Sequence, residues 1–194
     1  MLGYKTIVRA SYSKNLNKAI KNLKSLQRDR KKVLQYLEQG EKELLRKAQS
    51  ITVKSESDER KVEKLFLTTE AIKFEIDRAK ELGLLTNSEA EHYKWRYTQL
   101  KDEIKSIIKE NARKEAEKKA DELALKQLRE VYGNLAEHPI LSGKRAMLRS
   151  KYMSYYSDDV EKSEKAISKA ESSVLTKLRN LLLRREKNEA EVVV

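Results

Sequence analysis

The chain has no cysteine, one proline, five glycines and two histidines in 194 residues. Without cysteine there is no disulfide framework and no thiolate chemistry. So little proline and glycine leaves too few turns for an all-β fold, which needs one every several residues. Two histidines, no cysteine and no glycine-rich phosphate loop leave few routes to catalysis, so no enzymatic activity and no cofactor are expected. No run of 18 apolar residues is present, so no membrane-spanning helix is expected. Residues 1–13 lack the apolar core of a secretory signal, which points to an intracellular or virion location.

What remains is helix-forming sequence. Hydrophobic residues make up 39% and charged residues 38%, a lean balance that suits apolar stripes on long helices better than a deep globular core. The expected fold is all-α: an elongated helical hairpin and bundle with long helices and a basic N-terminal arm. Residues 1–13 read as an extended basic arm and residues 14–50 as a basic amphipathic helix, disturbed near Gly40. Residues 51–57 form a polar, β-branched break, and a second helix starts at Ser57 or Asp58. In it Val62, Leu65, Thr69, Ile72, Ile76 and Ala79 keep the alternating three-and-four spacing of a coiled-coil seam.

Gly83 ends that helix, and Thr86 with Glu89 forms a capping box for the next. Residues 88–132 contain neither proline nor glycine and predict one rod of about 67 Å at 1.5 Å per residue. Its first half carries Ala90, Tyr93, Tyr97, Leu100, Ile104 and Ile107 at helical spacing. Its middle, residues 111–122, has only alanine to bury, so it either projects or meets a small-residue surface. Residues 57–132 are thus a long helical hairpin. After Gly133 and Asn134, residues 135–143 read as a loop around Pro139. Residues 144–188 supply two further helices that pack on the hairpin, and residues 189–194 fray.

The net charge of +12 is unevenly placed. Residues 1–32 hold Lys5, Arg9, Lys14, Lys18, Lys21, Lys24, Arg28, Arg30, Lys31 and Lys32 against the single acid Asp29, a net +9. At about 100° per residue, Lys14, Lys18, Lys21, Arg28 and Lys32 fall within roughly 80° of one helix face, opposite Leu16, Ile20, Leu23 and Leu34. Phosphates need several cations along a rigid support, and neutralising them releases counterions. A local +9 without acids repels itself unless a polyanion offsets it. A second candidate patch is Lys144, Arg145, Arg149 and Lys151, interleaved with Tyr152, Tyr155 and Tyr156; aromatics between cations can stack on bases. The competing reading makes Met147, Leu148, Tyr152 and Tyr155 the buried side of a short helix.

Two other constellations read as ordinary helix chemistry. Glu89 and His92 have Glu-x-x-His spacing, but a di-metal bundle site needs a second such pair, and His138 has Leu135 at the partner position. Asp158, Asp159, Glu161 and Glu164 suit the start of a helix, where acids complement the dipole. No metal site is expected.

The favoured reading is a structural protein that binds nucleic acid, duplex in preference, without reading base sequence, and that assembles into an oligomer or filament. The alternatives are a coiled-coil scaffold or adaptor with an acidic protein partner, and a peripheral binder of anionic membranes. The basic helix carries no Trp or Phe on its apolar face, which weakens the membrane alternative. In layout the chain resembles the coat proteins of filamentous archaeal viruses, in which a basic helical arm wraps DNA and a helical bundle follows. The resemblance is one of architecture and assigns no residue a role.

Overall fold

A computed structural model describes residues 30–191, with side chains through Asn180. The described residues are helical throughout, without a strand: α1 (Arg30–Gln49), α2 (Glu56–Glu81), α3 (Asn87–Tyr132), two 3-10 turns (Gly133–Glu137 and Pro139–Leu141), α4 (Ser142–Met153), a further 3-10 turn (Ser154–Tyr156) and α5 (Ser157–Glu191). The arm and the first half of the basic helix, residues 1–29, lie outside the described residues.

Pairings along α3 fix the direction of every neighbour. Arg30 meets Glu89, the Tyr97 hydroxyl donates to the Leu37 carbonyl at 2.6 Å, and Asn111 reaches the end of α1, so α1 runs parallel to α3. Asp77 pairs with Lys94 and Glu70 with Lys101, so α2 runs antiparallel. Asp159, Glu164 and Glu171 pair with Lys119, Lys109 and Lys105, so α5 is antiparallel as well. The result is an up-down-up-down bundle in which α1 and α5 each pack against both members of the α2–α3 hairpin.

The α2 seam expected from the sequence is buried in full: Val62, Leu65, Thr69, Ile72, Ile76 and Ala79. Phe66 joins it. The hairpin turn forms as its residues require. Gly83 takes φ 69°, a conformation that favours glycine, and Leu84 and Leu85 tuck into the core. Thr86 accepts a hydrogen bond from the Glu89 N–H at 3.2 Å, while the Glu89 carboxylate accepts from the Thr86 N–H at 2.9 Å. That reciprocal pair satisfies two donors at the start of α3.

Several local expectations shift. The helix of α1 continues through Gly40 without a break. The glycine is there for its neighbour: a Cβ at this position would sit 2.9 Å from the Tyr97 hydroxyl. The break at 51–57 is not merely polar, because Ile51 and Val53 belong to the core. The following helix begins at Glu56, earlier than Ser57 or Asp58. The Asp58 carboxylate turns back to accept from the N–H groups of Lys54 and Ser55, both at 3.2 Å, and from the Ser55 hydroxyl at 2.9 Å. The Lys61 ammonium, donating at 2.7 Å, and then these bonds hold Asp58 down at about 2.

Beyond the fully buried Ala90 and Tyr97, the buried line of α3 runs through Leu100, Ile104, Ile108, Ala112, Ala116, Ala120, Ala124 and Leu128. Ile108, not Ile107, continues the buried line. These positions recur every four residues on a helix that turns every 3.6, so the buried line advances by about 40° per step. Over its length it winds roughly three-quarters of the way around the rod. One helix can therefore present successive sectors to different partners. The alanines meet a surface close by: Lys54 pairs with Glu115 at 2.7 Å on one side, and Lys109 and Lys119 pair with α5 on the other. The middle of α3 is thus enclosed, not projecting.

Beyond Glu115, α1 and α2 have ended, yet α3 runs on to Tyr132, about 25 Å further. Gly133, at φ 55°, stops it. The segment predicted as a plain loop forms two 3-10 turns, and α4 folds back on the end of α3 around a small core of Ala124, Leu128, Ala136 and Leu148. This distal tip is a separate apolar cluster from the main core.

Candidate nucleic-acid interface

Of the predicted phosphate contacts on the N-terminal segment, Lys5, Arg9, Lys14, Lys18, Lys21, Lys24 and Arg28 lie outside the described residues. Arg30, Lys31 and Lys32 begin α1, and all three are exposed. Val33, one residue on, is fully buried, and Leu37 and Leu44 follow on the same side. The cations therefore stand at the point where α1 joins the bundle core. Arg30 is not wholly available, because its Nη2 donates to Glu89 at 2.5 Å. Glu89 sits at about 2, held there by the Thr86 N–H first, then by Arg30 and the Thr86 hydroxyl. Arg30 thus ties the base of α1 to the cap of α3.

The second predicted patch divides. Arg145 forms a two-pronged pair with Asp121, its Nε at 2.8 Å from Oδ1. Lys144 donates to the Tyr132 hydroxyl at 2.6 Å, with its Nζ 4.9 Å from the ring centre. Both residues brace α4 against α3. Arg149 and Lys151 are exposed; Arg149 acts on Asp121 alongside Arg145, and the Lys151 side chain makes no hydrogen bond or ion pair among the described residues. The competing reading holds in part: Leu148 is buried and Tyr152 is half-buried, donating to Gln127 at 2.5 Å, while Met147 and Tyr155 are exposed.

The described part of the first patch, Arg30 to Lys32, stands apart from the second. Arg30 lies beside Glu89, near the start of α3, and α4 lies on its last turns. About 40 residues of helix, roughly 60 Å, separate them.

Several of the remaining cations tie one part of the bundle to another, and others pair along their own helix. Lys54, Lys94, Lys105, Lys109, Lys119, Lys169 and Lys177 each pair with an acid on another helix. Arg96 bridges Glu41 of α1 and Glu103 of α3, and its charge is held firmly by both carboxylates. Glu89 and His92 make no site: Glu89 is the cap, and the His92 ring meets the Tyr93 ring edge-on at 5.5 Å. No cluster of metal-ligating residues occurs among the described residues.

Sequence reasoning missed two features. One is a cleft of about 160 Å³ between α1 and α2, floored by Leu44, Ile51 and Leu65 and rimmed by Lys47, Lys61 and Lys64. Lys47 and Lys61 pair with Glu43 and Asp58. The other is the set of exposed aliphatic residues at the distal tip, whose only sequence signal was Leu135 and Ile140 in a segment rich in turn residues. Comparison of the chain with protein-family models, with curated proteins and with solved structures finds no match.

Proposed function

We propose that the protein is a non-enzymatic structural nucleic-acid-binding protein. Its N-terminal basic arm and helix hold the phosphate backbone, and copies assemble into an oligomer or filament. The observation that carries this reading is the placement of charge. Residues 1–32 hold a net +9, and the other 162 residues contribute +3. Within the described bundle, acids accompany the lysines and arginines, in ties between helices and in pairs along them, and by count the excess sits on residues 1–32.

Lysine dominates that segment, and an ammonium acts as a point charge, not as a bidentate reader of base edges. Binding is therefore independent of sequence. A duplex is the preferred partner, since a helix of about 27 Å bearing one basic face can follow a regular row of phosphates. Trp95, 60% exposed, and Leu175, 63% exposed, stand on the flanks of the bundle and offer apolar positions for contact between copies. The test is binding of the full chain to duplexes of unrelated sequence at graded salt. Equal affinities that fall steeply with salt support the reading; absence of binding at low salt overturns it.

A further inference from the structure

Among the described residues eight large hydrophobic side chains are markedly exposed, and five of them, Val131, Leu135, Ile140, Met147 and Tyr155, belong to the distal tip. Ile140 is the extreme, 82% exposed beside Pro139 in the turn that leads to α4, and Met147 is 66% exposed on α4 itself. Their exposure is built in. Leu148 is the one buried side chain of α4, with Tyr152 half-buried beside it, over a core of Ala124, Leu128 and Ala136. The supports of this turn are polar and rigid: Arg129 pairs with Glu137, Lys144 holds Tyr132, and Arg145 holds Asp121.

The charge around these side chains is net positive. Residues 123–156 contain six Lys or Arg and two acids, Glu130 and Glu137. Glu130 is exposed beside Val131, and Glu137 is taken by Arg129. Arg149 acts on Asp121 alongside Arg145, whereas the side chains of Lys126 and Lys151 make no hydrogen bond or ion pair among the described residues. The tip therefore presents aliphatic groups and uncommitted cations together, on the part of α3 that outruns α1 and α2.

We propose that this tip docks on an anionic lipid surface, with Ile140, Met147 and Leu135 entering the headgroup boundary and Lys126 and Lys151 meeting lipid phosphates. A bilayer interface takes both kinds of group at once: apolar side chains gain by burial, and each nearby cation is attracted to the negative surface. A duplex backbone would use the cations and leave the aliphatics in water. A second copy joined tip to tip would bring two surfaces of the same sign together. The tip lies at the end of the bundle opposite Arg30, the first described residue.

The absence of cysteine makes a clean test available. The Ile140→Cys variant of the full chain carries a single thiol for a polarity-sensitive fluorophore. Vesicles of phosphatidylcholine with phosphatidylglycerol are compared with phosphatidylcholine alone, at a salt concentration that suppresses the purely electrostatic contribution of the N-terminus. A blue shift on the mixed vesicles, with the emission of Trp95 unchanged, is expected. In a flotation assay the unlabelled Met147→Glu/Leu135→Glu variant, which keeps every cation, should bind the mixed vesicles at least about tenfold more weakly, a loss of about 1.4 kcal/mol. Its binding to duplex DNA should not change, so failure here is separable from failure of the nucleic-acid reading. Far-UV circular dichroism verifies folding, and both side chains are already exposed. Undiminished flotation of the variant, or a label that shifts without vesicles in step with self-association, overturns the proposal; the second result would make the tip a contact between copies.

Discussion

The lower and upper halves of α3 follow the same four-residue repeat and pack in opposite ways. Below Asn111 the repeat places Leu100, Ile104 and Ile108 in the main core, with Tyr97 reaching through the gap left by Gly40. Above it the repeat places Ala112, Ala116, Ala120 and Ala124, all buried, with charged residues on either side. The lower half gains stability from apolar volume. The upper half gains little from volume and depends on close approach, with ion pairs to α5 and to the 51–55 connection closing over it. One periodicity therefore serves two kinds of contact, and side-chain size decides which.

This contrast can be broken at either end. Ile104→Ala empties a fully buried site in the lower half and should lower unfolding stability by about 4 kcal/mol, measured by urea denaturation. Ala116→Leu is the reverse experiment. In the upper half there is no space for the added carbons, so it should cost about 3 kcal/mol through overpacking and shift α5 outward. A neutral outcome at Ala116 would mean that the upper half is loosely held.

A buried carboxylate sharpens the comparison from the α2 side. Glu75 is 4% exposed, opposite the lower half of α3, and burial raises it to about 7 against a weaker opposing effect of Arg78. In the unfolded chain it titrates near 4.5. The folded state therefore holds the proton more tightly, and stability falls as pH rises from about 4.5 to about 7, then stays level. Glu75→Gln should leave stability unchanged near pH 4.5 and raise it by about 2 kcal/mol at pH 8, read from the two denaturation midpoints. Asp58 and Glu89, both held at about 2, act in the other direction and cost stability only as pH falls below about 4.

The smallest expected effect lies at the junction of the two halves. The Asn111 side-chain amide donates to the carbonyls of Ala48, Gln49 and Ile51 at 3.2, 3.1 and 2.9 Å. It thereby satisfies groups that the end of α1 leaves open. Asn111→Ala should cost about 1 kcal/mol and speed hydrogen exchange at residues 50–55.

The all-α class, the hairpin, the cap at Thr86 and Glu89 and the full α2 seam were legible in the sequence, because each rests on local spacing or capping chemistry. The role of Gly40 was not, since it depends on Tyr97 from a helix about 60 residues away. The enclosure of the alanine segment was open for the same reason: an alanine face looks alike whether it meets solvent or a neighbour. The burial of Ile51 and Val53 was hidden by the polar residues around them. At the candidate interface, the charge asymmetry was plain from counting, but the engagement of Arg30, Lys144 and Arg145 with Glu89, Tyr132 and Asp121 required the fold. So did the separation of Arg30 from α4.

The central claim is that the N-terminal stripe carries nucleic-acid binding. Its most direct test is the slope of log affinity against log salt for a random duplex, with the native chain and with Lys14, Lys18, Lys21, Arg28 and Lys32 all changed to Glu. The native chain should show a slope of about −4 or steeper, near −0.9 for each phosphate contacted. The five-site variant should keep its helical circular dichroism and lose binding. Retention of native affinity and slope by that variant would contradict the account.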